Sequence, residues 1–126
     1  MTASLASDDL SRRLEKALRL AGNTHTIEDI QQSLACGEMQ CFVAGDSFVL
    51  TEIAVTPRAK YLNVFLAVGD ISLMALQKDI LKFAEESGCQ WMQTLGRHGW
   101  KAVLPGYGWK ATHTLFIHKV GRNGKV

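Results

Sequence analysis

From Ser87 to the end of the sequence there is not one Asp or Glu. Arg97, Lys101, Lys110, Lys119, Arg122 and Lys125 go unanswered there, so this end can attract phosphates, nucleic acid or an acidic protein partner, or is simply a solvated basic tail. The net charge of +2 conceals the split: residues 1–50 carry four basic and seven acidic side chains, and residues 51–126 carry ten and five. Proline is scarce, at two in 126 residues, and with 11 glycines the composition excludes collagen-like, low-complexity and strongly disordered chains. The three cysteines, Cys36, Cys41 and Cys89, are an odd set without C-x-x-C, which points to reduced, mostly buried thiols inside a cell. No stretch approaches the roughly 18 apolar residues of a membrane span. Residues 1–11 have no apolar signal core and no basic leader. A cytoplasmic protein without a membrane partner is the expectation.

What is present is enough apolar matter for one core. At 13.9 kDa and 47% hydrophobic residues, a chain of this size hides roughly two-thirds of its unfolded surface. Ser7-Asp8-Asp9 offers a helix cap, followed by Leu10, Leu14, Ala17, Leu18 and Ala21 at helical spacing up to Gly22-Asn23. Thr26 caps a second helix, with Asp29 completing a capping-box-like start and Ile27, Ile30, Leu34 and Ala35 as its apolar side. From Gln40 the period shortens. Residues 41–44, 48–55 and 61–68 read as an antiparallel meander turning at Gly45-Asp46-Ser47 and at Pro57 to Lys60. The nearly continuous apolar run at 61–68 suits a central strand covered on both faces. A helix lined by Leu73, Leu76, Ile80, Phe83 and Ala84 then stops at Gly88, and residues 89–95 form a strand parallel to 61–68 through a right-handed crossover. A short helix at 100–104, broken by Pro105-Gly106, and a last strand at 112–120 complete a single domain over 1–126, with a basic tail at 121–126.

Chemistry-bearing residues are dispersed. His25, His98, His113 and His118 form no i,i+4 pair and have no carboxylate at ligand spacing, so no metal site is expected. Cys89 and His98 make a nucleophilic pair on paper, but a buried strand-start cysteine is the commoner state, since reactive thiols need an exposed electropositive setting. Gly96-Arg97-His98-Gly99-Trp100 follows a parallel strand at its C-terminal end, the edge where ligands gather in open α/β sheets. Arg97 and Trp100 are therefore candidate ligand contacts; the alternative is a tight turn with Trp100 plugging the core. Arg97, Lys101 and Lys110 also interleave with Trp91, Trp100, Tyr107 and Trp109, as phosphate and stacking contacts to nucleic acid would.

The order helix, helix, three antiparallel strands, helix, parallel strand, short helix, final strand resembles the GNAT N-acetyltransferase fold, over roughly residues 40–120. The piece Glu85-Glu86-Ser87-Gly88-Cys89 into a strand, and Tyr107-Gly108-Trp109 after the short helix, looks like the C-terminal half of that fold. The combination Thr51-Glu52, Pro57, Gly69-Asp70, Gly88-Cys89, Gly96-Arg97, Gly99-Trp100, Leu104 and Gly108 is similar to small GNAT-like proteins of tailed bacteriophages and prophages. The resemblance implies a mixed, mostly antiparallel α/β sheet flanked by helices, splayed at its parallel step, and acetyl-CoA as the ligand of the active members.

The departures from that family carry as much as the match. Its enzymes cradle the coenzyme diphosphate on a glycine-rich loop at the start of the crossover helix, where main-chain amides form an anion site. Here that place reads Val68-Gly69-Asp70-Ile71, with one glycine, and an Asp70 carboxylate at the cap would take the amides and repel a diphosphate. The family's acid position falls on Leu104, leaving Tyr107 as the nearest phenol, and Glu52 in its strand as a base if half-burial raises its pKa. The expectation is a phage-associated, non-catalytic binding or assembly module with a phage or host protein as partner, without a cofactor, in the host cytoplasm or the virion. Its alternatives are a divergent acetyl-CoA-dependent N-acyltransferase and a weak nucleic-acid-binding protein. Oligomeric state is not readable from the residues.

Overall fold

Leu14, Ala17 and Leu18 are buried along one side of the first helix, α1 (Asp8–Leu20), as their three- and four-residue spacing requires. Ser7, the expected cap, lies outside the residues described, which are 8–20, 22–69, 72–96 and 99–121 of the computed structural model. The second helix, α2 (Ile27–Ala35), opens on a complete capping box. The Asp29 amide donates to Thr26 Oγ1 at 3.2 Å, and the Thr26 amide donates to Asp29 Oδ2 at 2.9 Å. Two otherwise orphaned donors are thereby satisfied.

Three antiparallel strands follow, β1 (Met39–Ala44), β2 (Ser47–Val55) and β3 (Lys60–Val68), then the crossover helix α3 (Ser72–Glu86) and a short strand β4 (Trp91–Thr94) parallel to β3. The sheet order is β1-β2-β3-β4, so β3 is flanked on both sides, in keeping with its apolar run. Met39, Cys41, Phe48 and Leu50 project from one face into a core with Leu14, Leu18 and Ile30 of α1 and α2. On the other face α3 buries Leu76, Ile80 and Ala84, and its Phe83 ring meets Phe42 edge-on at 5.7 Å. The polar pair on this second face is hydrogen-bonded: Thr51 Oγ1 donates to Gln40 Oε1 at 2.9 Å, both residues being buried, and Gln40 Nε2 donates to the Gly37 carbonyl at 3.4 Å. The expected mixed α/β arrangement is what the described residues form.

Thr94 ends one compact unit and Leu95 begins a second. In the second unit α4 (Trp100–Val103) runs straight into a 3-10 turn over Leu104–Tyr107. The α-helix ends at Val103, just before Pro105, as expected; the chain then continues as a 3-10 turn, in whose first turn the missing proline amide costs nothing. Gly108 closes the turn at φ 90°, donating its amide to the carbonyls of Leu104 and Pro105.

The last expected strand is corrected by the structure. Residues 112–120 carry no regular secondary structure and are all exposed, Phe116 by 88%. Their alternation supplies strand propensity, but a strand exists only through a ladder with a neighbour, and the described residues of the second unit contain none. The β4 strand is likewise shorter than the expected 89–95.

Candidate functional site

Val64 is where the parallel step ends. The β3–β4 ladder runs from Tyr61↔Trp91 to Val64↔Thr94, while β3 continues to Val68. Thr94 Oγ1 donates to the Val64 carbonyl at 2.9 Å and so ties the last rung. At the next residue the opposite side of β3 is also irregular: Thr51 pairs with Val64 and Leu50 with Leu66, which leaves Phe65 as an extra residue, a β-bulge. One point of the central strand thus loses its parallel neighbour and its regular register together. The carboxyl ends of parallel strands are where ligands gather in open α/β sheets.

The bulge turns Phe65 and Leu66 both toward the α1–α2 core, with Val68 beside them. The His25 ring, in the loop between α1 and α2, stands edge-on against the Phe65 ring at 4.7 Å. His25 Nδ1 is hydrogen-bonded to Thr24 Oγ1 at 2.8 Å. This loop is fixed at both ends, by the Asn23 amide donating to the Leu18 carbonyl at 2.9 Å and by the Thr26–Asp29 capping box. The Asp29 carboxyl is held below its ordinary range, first by the Thr26 amide, then by the Thr26 hydroxyl, and to a lesser degree by the charge of His25. A groove opens here between α1 and α2, lined by Glu15, Leu18 and Arg19 on one side and His25, Thr26 and Glu28 on the other.

Glu52 lies on the same sheet face as Leu50, two residues along β2, opposite Asn63. It is half-buried, and Asn63 Nδ2 donates to its Oε1 at 2.9 Å. The partner is an amide on the neighbouring strand and not the cross-strand lysine that is the commoner fate of such a carboxylate. Asn63 in turn faces Gln93 of β4, whose Oε1 accepts from Trp91 Nε1 at 3.0 Å, and the Trp91 indole stacks on Tyr61 at 5.2 Å. A polar and aromatic strip therefore borders the bulge on its N-terminal side.

The structure places Glu52, Val68 and Gly69 in the first unit, Glu52 opposite Asn63 before the bulge and Val68 opposite Phe48 beyond it, with Gly69 next along the chain. Gly69 has φ 139°, and a Cβ there would fall 2.6 Å from Ser47 Cα, so glycine is needed for packing against the buried Ser47. Asp70 and Ile71, and with them the expected carboxylate cap, lie outside the described residues, as do Arg97 and His98. Trp100 and Tyr107 belong to the second unit. There Trp100 is half-buried with its Cβ near Gly96, where an added Cβ would lie 3.2 Å away, and Tyr107 ends the 3-10 turn, about half exposed. Among the described residues no three His, Cys, Asp or Glu side chains gather as a metal-ligand set, and no helix is long and apolar enough to cross a membrane.

His25, Phe65 and Thr94 are the residues of this site that sequence reading missed. A consecutive apolar run such as Val64-Phe65-Leu66 carries no mark of a bulge. His25 does carry a faint one, since it immediately precedes a helix cap, where a loop side chain is held in place.

No protein-family profile and no characterised protein matches the chain in sequence. In structure it is similar to a probable acetyltransferase, with a TM-score of 0.68 at 13% identity over 95% of this chain and 98% of that one. It is also similar to an aminoglycoside acetyltransferase from an uncultured soil metagenomic sample, with a TM-score of 0.67 at 10% identity over 95% and 94%. A third similar structure is the tetramutant of the BH1408 protein from Bacillus halodurans, with a TM-score of 0.70 at 9% identity over 95% and 98%. At such identities the likeness is one of fold: a mixed α/β sheet in the GNAT-like arrangement.

Proposed function

We propose that the protein is an acyl-CoA-dependent N-acyltransferase, moving an acyl group from a coenzyme A thioester to an amine. The observation that carries this reading is the coincidence at Val64-Phe65 of the ladder's end and the bulge, beneath the α1–α2 loop. Past that point the main-chain groups of β3 on its β4 side have no strand partner among the described residues, and a ligand carrying amides pairs with such groups as a strand would. Residues 65–68 would hold the amide-bearing arm of the substrate. The acetyltransferases among its structural neighbours support the same reading.

One observation favours a second reading, the phage-associated, non-catalytic binding or assembly module. Gly69 is accounted for by Ser47 alone, so the only glycine of the 68–71 segment is no sign of a diphosphate cradle. Calorimetric titration and thermal unfolding with acetyl-CoA separate the two. A ligand bound only by the native state raises its stability, by about 2.7 kcal/mol at a hundred times its dissociation constant. A saturable heat and a raised Tm are expected; a flat titration up to millimolar acetyl-CoA returns the preference to the binding module.

A further inference from the structure

We propose that His25 is the catalytic base, the group that takes a proton from the acceptor amine; this rests on the acyltransferase reading above. Three features of its setting single it out. Its ring lies against Phe65, the one residue that the bulge pushes out of register where β3 parts from β4, so it is positioned beside the place where a thioester would lie. Thr24 Oγ1 engages Nδ1 at 2.8 Å; with Nδ1–H donating to that oxygen, the lone pair resides on Nε2. The ring also lines the α1–α2 groove, where two carboxylates, Glu15 and Glu28, outweigh the one guanidinium, Arg19, and so favour a cationic acceptor.

Glu52 serves less well. Its carboxylate is half-buried and already accepts from Asn63 at 2.9 Å, whereas the Thr24 contact leaves the second ring nitrogen of His25 uncommitted to it. The step balances as follows. The ammonium of the acceptor gives one proton to Nε2, and the freed nitrogen lone pair forms the C–N bond at the thioester carbonyl. The C–S bond breaks with its electron pair on sulfur, the second amine proton ends on that thiolate, and His25 returns its own proton to water. General-base assistance of this kind is worth roughly 10²–10⁴-fold in rate.

Around the imidazole, Glu15 and Arg19 of α1 and Glu28 of α2 line the same groove, Asp29 of α2 interacts with it through charge, and the uncharged Phe65 of β3 touches its ring. All of them stay in place in H25Q and H25A, so a pH limb lost in these variants belongs to His25. The test uses the intact protein with acetyl-CoA as donor and spermidine and poly-L-lysine as probe amines. Acetyl-CoA affinity by calorimetry is expected to be the same in wild type, H25Q and E52Q; if wild type does not bind it, the acyltransferase reading itself has failed. With binding established, H25Q is expected to lower kcat ~100-fold and to lose the acid limb of the pH–rate profile. Imidazole added to H25A is expected to restore turnover, which a purely structural role for the ring cannot explain. In the absence of acetyl-CoA, spermidine is expected to move the His25 ring resonances in NMR spectra. Three outcomes overturn the proposal: full activity with an unchanged pH profile in H25Q, transfer of both effects to E52Q, or an acetyl-CoA-binding wild type that acylates neither amine and whose His25 resonances do not move.

Discussion

Thr94 and Val64 form the last rung of the β3–β4 ladder, the threonine hydroxyl donating to the valine carbonyl at 2.9 Å. The bulge begins at the next residue of β3, so this single bond stands between a regular parallel pair and an open strand. Its placement explains how a four-residue β4 can stop sharply beside a nine-residue β3.

Thr94→Val keeps the shape and removes the donor. A loss of about 1 kcal/mol in urea unfolding is expected, the worth of one ordinary hydrogen bond. On the acyltransferase reading, acetyl-CoA affinity falls as well, since the mouth of the opening loosens. Unchanged stability would show that the Val64 carbonyl does not depend on this bond.

Gly69→Ala tests the close approach to Ser47. The φ of 139° is unfavourable for any other residue, and the new methyl would meet the Ser47 main chain as well as its side chain. Destabilisation of at least ~2 kcal/mol is expected from strain and displacement together. Adding Ser47→Gly does not rescue it, because the Ser47 Cα alone lies 2.6 Å from the added atom. A soluble, normally folded Gly69→Ala would contradict this packing.

Asp29 gives a pH signature. Its folded-state pKa lies below the ordinary value of 3.8, so between the two the unfolded chain holds more protons than the native one, and stability rises with pH. The contribution is present above the unfolded value and is lost as pH falls through the folded one. Denaturant midpoints measured from pH 5 down to pH 2 are expected to fall less steeply in Asp29→Asn than in wild type. Parallel slopes in the two proteins would mean that the capping box leaves this carboxyl unperturbed.

How much of this could be read from the residues depends on the range of the interactions. The Thr26–Asp29 box is local, so its two residues suffice to announce it. The meander was legible too, because Gly45-Asp46 and Pro57-Arg58 punctuate runs whose alternation decides the register. Phe65 was opaque, since the bulge arises from the mismatch between β2 and β3 and not from any property of Val64, Phe65 or Leu66. His25 meets Phe65 only after α1 and α2 have folded onto the sheet and brought the loop there. Glu52 was picked out as a half-buried carboxylate in a strand, but its partner Asn63 depends on cross-strand register. The segment 112–120 misled for the converse reason: its pattern is that of a strand, and pattern without a neighbour makes none.

Two phenylalanines with similar sequence surroundings should therefore respond in opposite ways. Phe42 is 2% exposed, and its ring meets Phe83 of α3 edge-on, so Phe42→Ala removes apolar area and leaves a cavity under the helix. A cost of about 3–5 kcal/mol follows. Phe116 also sits in a run of alternating strand-like residues, yet it is 88% exposed in a segment with no ladder. Phe116→Ser should shift stability by no more than ~0.5 kcal/mol, the range of ordinary surface changes. Urea unfolding of both variants decides the matter. A loss of several kcal/mol in Phe116→Ser would place that side chain in a core and restore the strand that the residue pattern suggests.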